Sequence, residues 1–319
     1  MHIARPLWRR TPPAVFPICL ALLGLGLGWR NASEVLPLAH EIGDLFLGCA
    51  SAFFLYFLVV YTAKVVARPA VILEDMQSAP ARAGIAAAAM AMMLLAAALI
   101  PLGLSVPQVW WTGVGMQVVA SGLGCWAIWL DPPEKRNFST FQYLTFVGPV
   151  VGPIAGLQLG YVWESVALIY AALVAYVVIT IGLLFTIRPL QMPVVLRPSL
   201  AIFLAPNCLF GIGFGLLGHE IGFLVFYWFA TAIAVLLLVI SPWMIKRPWT
   251  PVWGSLSFPV AAFLQLQVMG LSRGFGVIAE VSVYGALAIG TPLISGLAYM
   301  TILTWVTGEL AEKSGAARA

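Results

Sequence analysis

The sequence predicts an all-α integral membrane protein with ten transmembrane helices paired as five helical hairpins, and three observations carry that prediction. Hydrophobic residues make up 62% of the chain and charged residues only 9%, whereas a soluble domain carries about 25% charged residues. Ten apolar stretches approach the ~20 residues that a helix needs to cross the hydrocarbon core. The basic residues fall in short clusters between those stretches, rich on one side and sparse on the other.

An arm of residues 1–11 carries Arg5, Arg9 and Arg10 and leads into the first span, 12–30. Leu20 to Trp29 lacks a small-residue cleavage pattern, so the arm reads as a cytoplasmic lead-in and not as a removed signal. The remaining spans fall at 43–65, 82–104, 108–130, 141–162, 165–187, 198–218, 221–244, 252–271 and 281–307. Residues 12–308 thus form one membrane domain, and 309–319 form a cytoplasmic tail. On one side fall Arg5, Arg9, Arg10, Lys64, Arg68, Arg82, Lys135, Arg136, Arg188, Arg197, Lys246, Arg247, Lys313 and Arg318. The other side receives Arg30 and Arg273 alone. A 14 to 2 split places both termini in the cytoplasm. The outer connections at Ser105 to Pro107, Trp163-Glu164 and His219-Glu220 are barely turns, which forces consecutive spans into antiparallel hairpins.

Odd and even spans differ. Pro17, Pro149, Pro206 and Pro259 each lie early to midway in spans 1, 5, 7 and 9, where a proline is expected to kink the helix. The third span offers only Pro101, near its outer end. Pro153 to Pro206 and Pro206 to Pro259 are both 53 residues apart, about one hairpin, which points to a repeated unit. Span 1 holds the run Gly24 to Gly28, and span 5 holds GPVVGPIAG with Gly152 at its centre. Glycine permits close packing or leaves space along a lumen. Spans 2, 6 and 8 carry Leu, Val, Phe and Tyr on most faces, which suits lipid. Odd helices are therefore expected inside, even helices outside.

The ninth span, WGSLSFPVAAFLQLQVMG, has no charge and carries a Phe258-Pro259 pair. A proline there frees a carbonyl that protein or a water-filled cavity must receive. Phe258 either obstructs a pore or packs against lipid or a neighbouring helix; the residues alone leave both open. Asn207, Gln265, Gln267, Thr145 and Gln158 are the polar groups of the inner spans, as pore groups or interhelical hydrogen-bonders. Arg30 and Arg273 at one face, and Arg197 with Lys246 and Arg247 at the other, are candidates for a positive potential at the pore entrances.

Enzyme signatures are scarce. His2, His40 and His219 have no ligand spacing, and the acids form no paired motif, so neither a metal site nor a cofactor is expected. Glu74-Asp75 and Asp131/Glu134 read as solvated loop charge, and no acid lies deep in a span, which favours a passive conduit over a proton-coupled pump. The basic balance suits membrane orientation and not nucleic acid. Cys19, Cys49, Cys125 and Cys208 read as buried apolar residues, and Met90, Met92 and Met93 as core.

FPICLALLGLGLGWR in span 1, RPSLAIFLAPNCLFG entering span 7 and WGSLSFPVAAF in span 9 resemble the tellurite-resistance/dicarboxylate transporter family. That family includes bacterial TehA and the plant guard-cell slow anion channels. The resemblance implies a homotrimer in which each subunit has its own pore, lined by the five odd helices in quasi-fivefold arrangement. It also implies that Phe258 plugs the pore. Implied partners are small inorganic or organic anions, among them chloride, nitrate, sulfite, C4-dicarboxylates and tellurite, together with membrane lipid. The implied location is the bacterial inner membrane. The chain departs from the family at AAAAMAM, Ala86 to Met92, where members often carry a proline midway along span 3, and its short ends leave no room for a regulatory domain. The expectation is an anion channel or channel-like exporter; the alternatives are a proton-coupled exporter and, more distantly, a membrane enzyme or a scaffold.

Overall fold

The protein's structure, a computed structural model, describes residues 6–132, 136–186, 191–246, 248–315 and 317. Arg5, Lys135, Arg188, Arg247 and Arg318 of the basic set, with His2 and Glu134, lie outside the described residues. The chain is helical: α1 Phe16–Ser33, α2 His40–Ala67, α3 Ala70–Met76, α4 Ala79–Leu99, α5 Pro107–Leu130 and α6 Pro153–Gly156 are followed by α7 Val162–Thr186. Then come α8 Leu204–Leu216, α9 Glu220–Met244, α10 Ser257–Ser272, α11 Gly276–Val306 and α12 Glu309–Lys313. Among the described residues, nine helices are long and apolar enough to cross a membrane once adjoining 3-10 turns are included.

The fifth expected span, 141–162, is not one long helix. It runs as a π turn, Tyr143–Val147, then a 3-10 turn, Gly148–Val151, then the single turn α6. The cause is Pro149 and Pro153, which each remove a backbone donor one turn apart. The Thr145 carbonyl would bond the N–H of residue 149 in an α-helix; instead it accepts from Gln117 Nε2 (2.9 Å) and Ser121 Oγ (2.7 Å) of α5. An outer helix thus satisfies what the prolines leave open, as a membrane interior requires. A boundary shifts as well: Trp163 and Glu164 belong to the first turn of α7, not to a loop.

Burial alternates along the chain. In the four long inner helices, 61 to 89% of the most apolar stretch is buried; in the five outer helices the figure is 17 to 33%. The irregular segment Tyr143–Gly156 is also mostly buried. Each inner element packs against the next, and α10 packs back on α1, so that α1, α4, the irregular segment, α8 and α10 close a ring. Each outer helix lies against the inner element before it in the chain. Cys19 and Cys208 are buried on inner helices, but Cys49 and Cys125 are exposed on α2 and α5, contrary to the sequence expectation, because they point away from the ring. Met90, Met92 and Met93 are buried on α4.

Proline placement refines the expectation of prolines early to midway in the spans. Pro17, Pro80, Pro153, Pro206 and Pro259 each stand within the first three residues of α1, α4, α6, α8 and α10. Pro80 starts its span, where the missing N–H costs no intrahelical bond, whereas Pro17, Pro206 and Pro259 stand where a 3-10 turn passes into α-helix within the runs Pro13–Ser33, Val194–Leu216 and Pro251–Ser272. Pro80, not Pro101, is the third member of the set. Three of the inner helices are preceded by 3-10 turns, Pro13–Val15, Val194–Phe203 and Pro251–Leu256.

The inner helices approach the chain ends closely. A Cβ at Gly84 of α4 would fall 2.4 Å from the Pro13 carbonyl oxygen and 2.7 Å from its carbon, atoms that cannot rotate aside. Gly84→Ala is expected to cost about 1–3 kcal/mol by overpacking. It should read as a lower midpoint in thermal unfolding of the detergent-solubilised protein; an unchanged midpoint would show that the arm is free to move off α4.

At the face that holds both termini, arm and tail are tied together. Arg10 donates to the Gly308 carbonyl (3.1 Å) and pairs with Glu312 (3.2 Å), and Trp305 Nε1 donates to Thr11 Oγ1 (2.9 Å). Lys64 Nζ donates to the Thr11 carbonyl (2.9 Å) and lies 3.5 Å from Asp75. Asp75 also accepts from Tyr61 Oη (3.0 Å) and the Ala317 N–H (2.8 Å). Glu74 is at the surface, where it pairs with Arg68, but Asp75 is 1% exposed and not the solvated loop charge expected from sequence.

Candidate pore and the phenylalanine that borders it

The ring encloses a cavity of about 130 Å³ near the terminal face. Every inner element contributes: Pro17 of α1, Ala83 and Met90 of α4, Val147 and Gly148 of the irregular segment, Pro206 and Leu209 of α8, and Phe258 and Pro259 of α10. Residues of the 3-10 turns and of the tail complete its wall, Pro13, Ser255, Lys313 and Ser314 among them. The wall is overwhelmingly apolar. Tyr143 is one of its few polar side chains, and its hydroxyl is engaged by Thr180 Oγ1 at 2.7 Å.

Phe258 lies in the first turn of α10 and is 5% exposed. A Cβ at Gly24 would come within 3.1 Å of Ala261 Cβ but only 3.7 Å of the Phe258 ring, an ordinary contact, so the glycine lets α1 and α10 approach at Ala261 with the ring alongside. Gln265 follows Phe258 by two helical turns on the same face and donates to the Gly24 carbonyl at 3.2 Å, which fixes α10 to α1 just beyond the ring. Pro259 removes the donor that an α-helix would aim at the Ser255 carbonyl, and Ser255 borders the cavity.

The structure separates the other sequence candidates. Pro17, Pro206 and Pro259 border the cavity with Phe258, whereas Pro149 and Pro153 do not. Gly28 and Gly152 are packing positions: a Cβ would meet Leu264 at 2.4 Å in the first case and Leu168 at 2.7 Å in the second. Asn207 does not border the cavity; its amide donates to the Phe203 carbonyl (2.7 Å) and accepts from Tyr176 Oη (2.9 Å) of α7. Gln267 likewise faces α9, bonded to Tyr227 Oη (2.6 Å) and Thr231 Oγ1 (3.0 Å). Gln158 donates to the Ile154 carbonyl (2.8 Å) of its own segment. These amides join helix to helix or turn to turn.

Of the expected entrance charges among the described residues, Arg30, Arg197, Lys246 and Arg273, none borders the cavity. Arg30 pairs with Asp44 of α2. Arg273 pairs with Glu220 of α9 (3.1 Å), donates to the Gly215 carbonyl (2.6 Å) and stacks over Phe223 at 4.1 Å. Arg30 and Arg273 are thus each paired with a carboxylate from a neighbouring helix, and neither borders the cavity. Arg197 stacks over Trp243 at 4.2 Å and donates to its carbonyl, away from the cavity. Sequence reasoning missed Pro80, Ser255, Lys313 and Ser314 as cavity residues. Pro80 carried a signal, since it stands near the start of span 3 as Pro17 stands near the start of span 1.

A protein-family model described as a voltage-dependent anion channel matches residues 10–307. That range takes in all five inner elements, their outer partners and the cavity's apolar wall. None of the curated proteins compared with the chain matches it.

Proposed function

The chain belongs to the voltage-dependent anion channel family, and from that premise we propose that it is a passive anion channel gated by Phe258. The observation that carries the proposal is an apolar cavity walled by all five inner elements and bordered by Phe258 where α10 begins. An apolar constriction holds ions back by excluding water, and it opens when the obstructing side chain swings away and the lumen wets. The irregular segment serves as the fifth inner helix and the tenth span of the protein. Inner elements are arranged in quasi-fivefold fashion, each with a proline where its α-helical part begins.

Five inner elements enclose each pore within one chain, so assembly as a homotrimer places three separate pores side by side. The terminal face is cytoplasmic, in keeping with the basic residues that cluster there. Exposed apolar side chains on the outer helices meet lipid in the bacterial inner membrane.

The competing reading is a proton-coupled exporter of a C4-dicarboxylate, sulfite or a tellurite-related anion. Coupling needs a titratable group on the pathway. Asp75, the one carboxylate below 2% exposure among the described residues, lies in α3 and does not border the cavity. Reversal potentials of the reconstituted protein distinguish the two. A channel's reversal potential follows the anion gradient and ignores an imposed pH gradient; a reversal potential that moves with the pH gradient overturns the channel reading.

A further inference from the structure

Among the described residues, one charged side chain borders the cavity, and it belongs to no inner helix: it is Lys313, at the end of α12. Arg30, Arg197 and Arg273 do not border the cavity, so among the described residues its wall is otherwise without charge. We infer that Lys313 is the anion-selecting charge of the pore mouth, held there by the tied chain ends.

Its position is built by contacts on both sides. Gly308, at φ +78°, turns the chain from α11 into α12, and a Cβ there would strike the Arg10 guanidinium at 2.7 Å. Arg10 grips that turn at the Gly308 carbonyl and α12 itself at Glu312. Four residues past Lys313, the Ala317 N–H is bound by the buried Asp75 carboxylate. Lys313 therefore sits on a segment clamped at both ends. Its ammonium lies 5.8 Å from the centre of the Trp249 ring and 2.7 Å from Glu309, one turn back on α12. Glu309 does not border the cavity. An exposed pair of this spacing is weak, so an arriving anion replaces the carboxylate at little cost. Ser314, beside Lys313 on the wall, donates its hydroxyl back to the Ala311 carbonyl at 3.4 Å, which leaves Lys313 as the donor that faces the cavity.

A charge at a narrow mouth with low-dielectric walls raises the local anion concentration, and it does so less as salt screens it. The assignment rests on the channel reading, so its test is made in the Phe258→Ala background, where the pore is held open. Chloride current is recorded for that parent and for added Lys313→Gln, Lys313→Glu and Glu309→Gln. At about 0.01 M salt, where the Debye length is ~30 Å, Lys313→Gln should lower the current roughly threefold, and Lys313→Glu should lower it further while reducing selectivity for chloride over potassium. Glu309→Gln should raise it, since it frees the ammonium. At about 1 M, with a Debye length of ~3 Å, the differences should collapse. A purely structural role for the Lys313–Glu309 pair would make both neutralising changes act in the same direction and would not depend on salt. Parent current that is indifferent to Lys313→Gln and Lys313→Glu overturns the assignment alone. Absence of current in every variant overturns the channel reading and the assignment with it.

Discussion

Phe258→Ala is expected to raise the anion current of the reconstituted protein at least about tenfold, a change that needs only about 1.4 kcal/mol removed from the barrier to permeation. The ring is 5% exposed, borders the cavity, and lies beside Gly24 of α1. Its removal enlarges the cavity and takes away the bulk that, on the proposed gating, keeps the constriction dry. Truncating a buried phenylalanine ordinarily costs about 3–5 kcal/mol of stability. Here the ring already faces a cavity on one side, so the loss should fall at the low end and the protein should remain folded. Bilayer recordings of wild type beside Phe258→Ala, with monodispersity in detergent as the folding check, decide the matter. A folded variant with wild-type conductance removes Phe258 from gating. A graded series, with Phe258→Leu between wild type and Phe258→Ala, would tie the current to side-chain volume. Loss of anion selectivity in the variant would point instead to a general leak.

The contrast between inner and outer helices was legible because it is compositional: glycine and proline mark elements that pack on both sides, and large aliphatics mark those that face lipid. The meaning of the prolines was less legible. They were expected as kinks early to midway along spans, and that expectation hid Pro80 and made the third repeat look defective. In the structure the shared feature is a proline in the first turn, and Pro17, Pro80, Pro153, Pro206 and Pro259 fit it alike. The break in the fifth element was implicit in Pro149 and Pro153, four residues apart, although its satisfaction by Gln117 and Ser121 of α5 was not. Charge was where sequence reasoning failed most. Arg30 and Asp44 are 14 residues apart, and Arg273 and Glu220 are 53 apart, so nothing local signals that they pair. Lys313 follows the last span and reaches the mouth only because the chain ends are tied together. Lys64 and Asp75 look in sequence like any charges at the ends of spans.

That pair carries the second large effect. Lys64→Met should destabilise the protein by about 3–5 kcal/mol, the usual cost of leaving a buried charge without its partner. Both side chains are inaccessible to solvent, so water cannot take over the role of the lost ammonium. Adding Asp75→Asn to Lys64→Met should recover more than half of the loss, because the amide removes the stranded charge and keeps an acceptor for Tyr61 or the Ala317 N–H. Acid should rescue the single variant too. Burial already raises the Asp75 carboxyl above its ordinary value; Lys64, the Ala317 N–H and Tyr61 pull the other way. Without Lys64 the folded-state value rises further above the unfolded value of about 3.9. The ionised form is then the costly one in the folded protein, so stability increases as pH falls through the raised value. Thermal unfolding of Lys64→Met at neutral pH and near pH ~5, beside wild type, reads this directly. A gap between the two proteins that does not narrow on acidification would mean that Asp75 is not the stranded charge. A buried ion pair is weak support for stability in itself, since apolar residues of the same shape do as well or better. Its presence here is better explained by what it positions: Asp75 holds Ala317, Lys64 holds Thr11, and between those two anchors the tail presents Lys313 to the mouth of the pore.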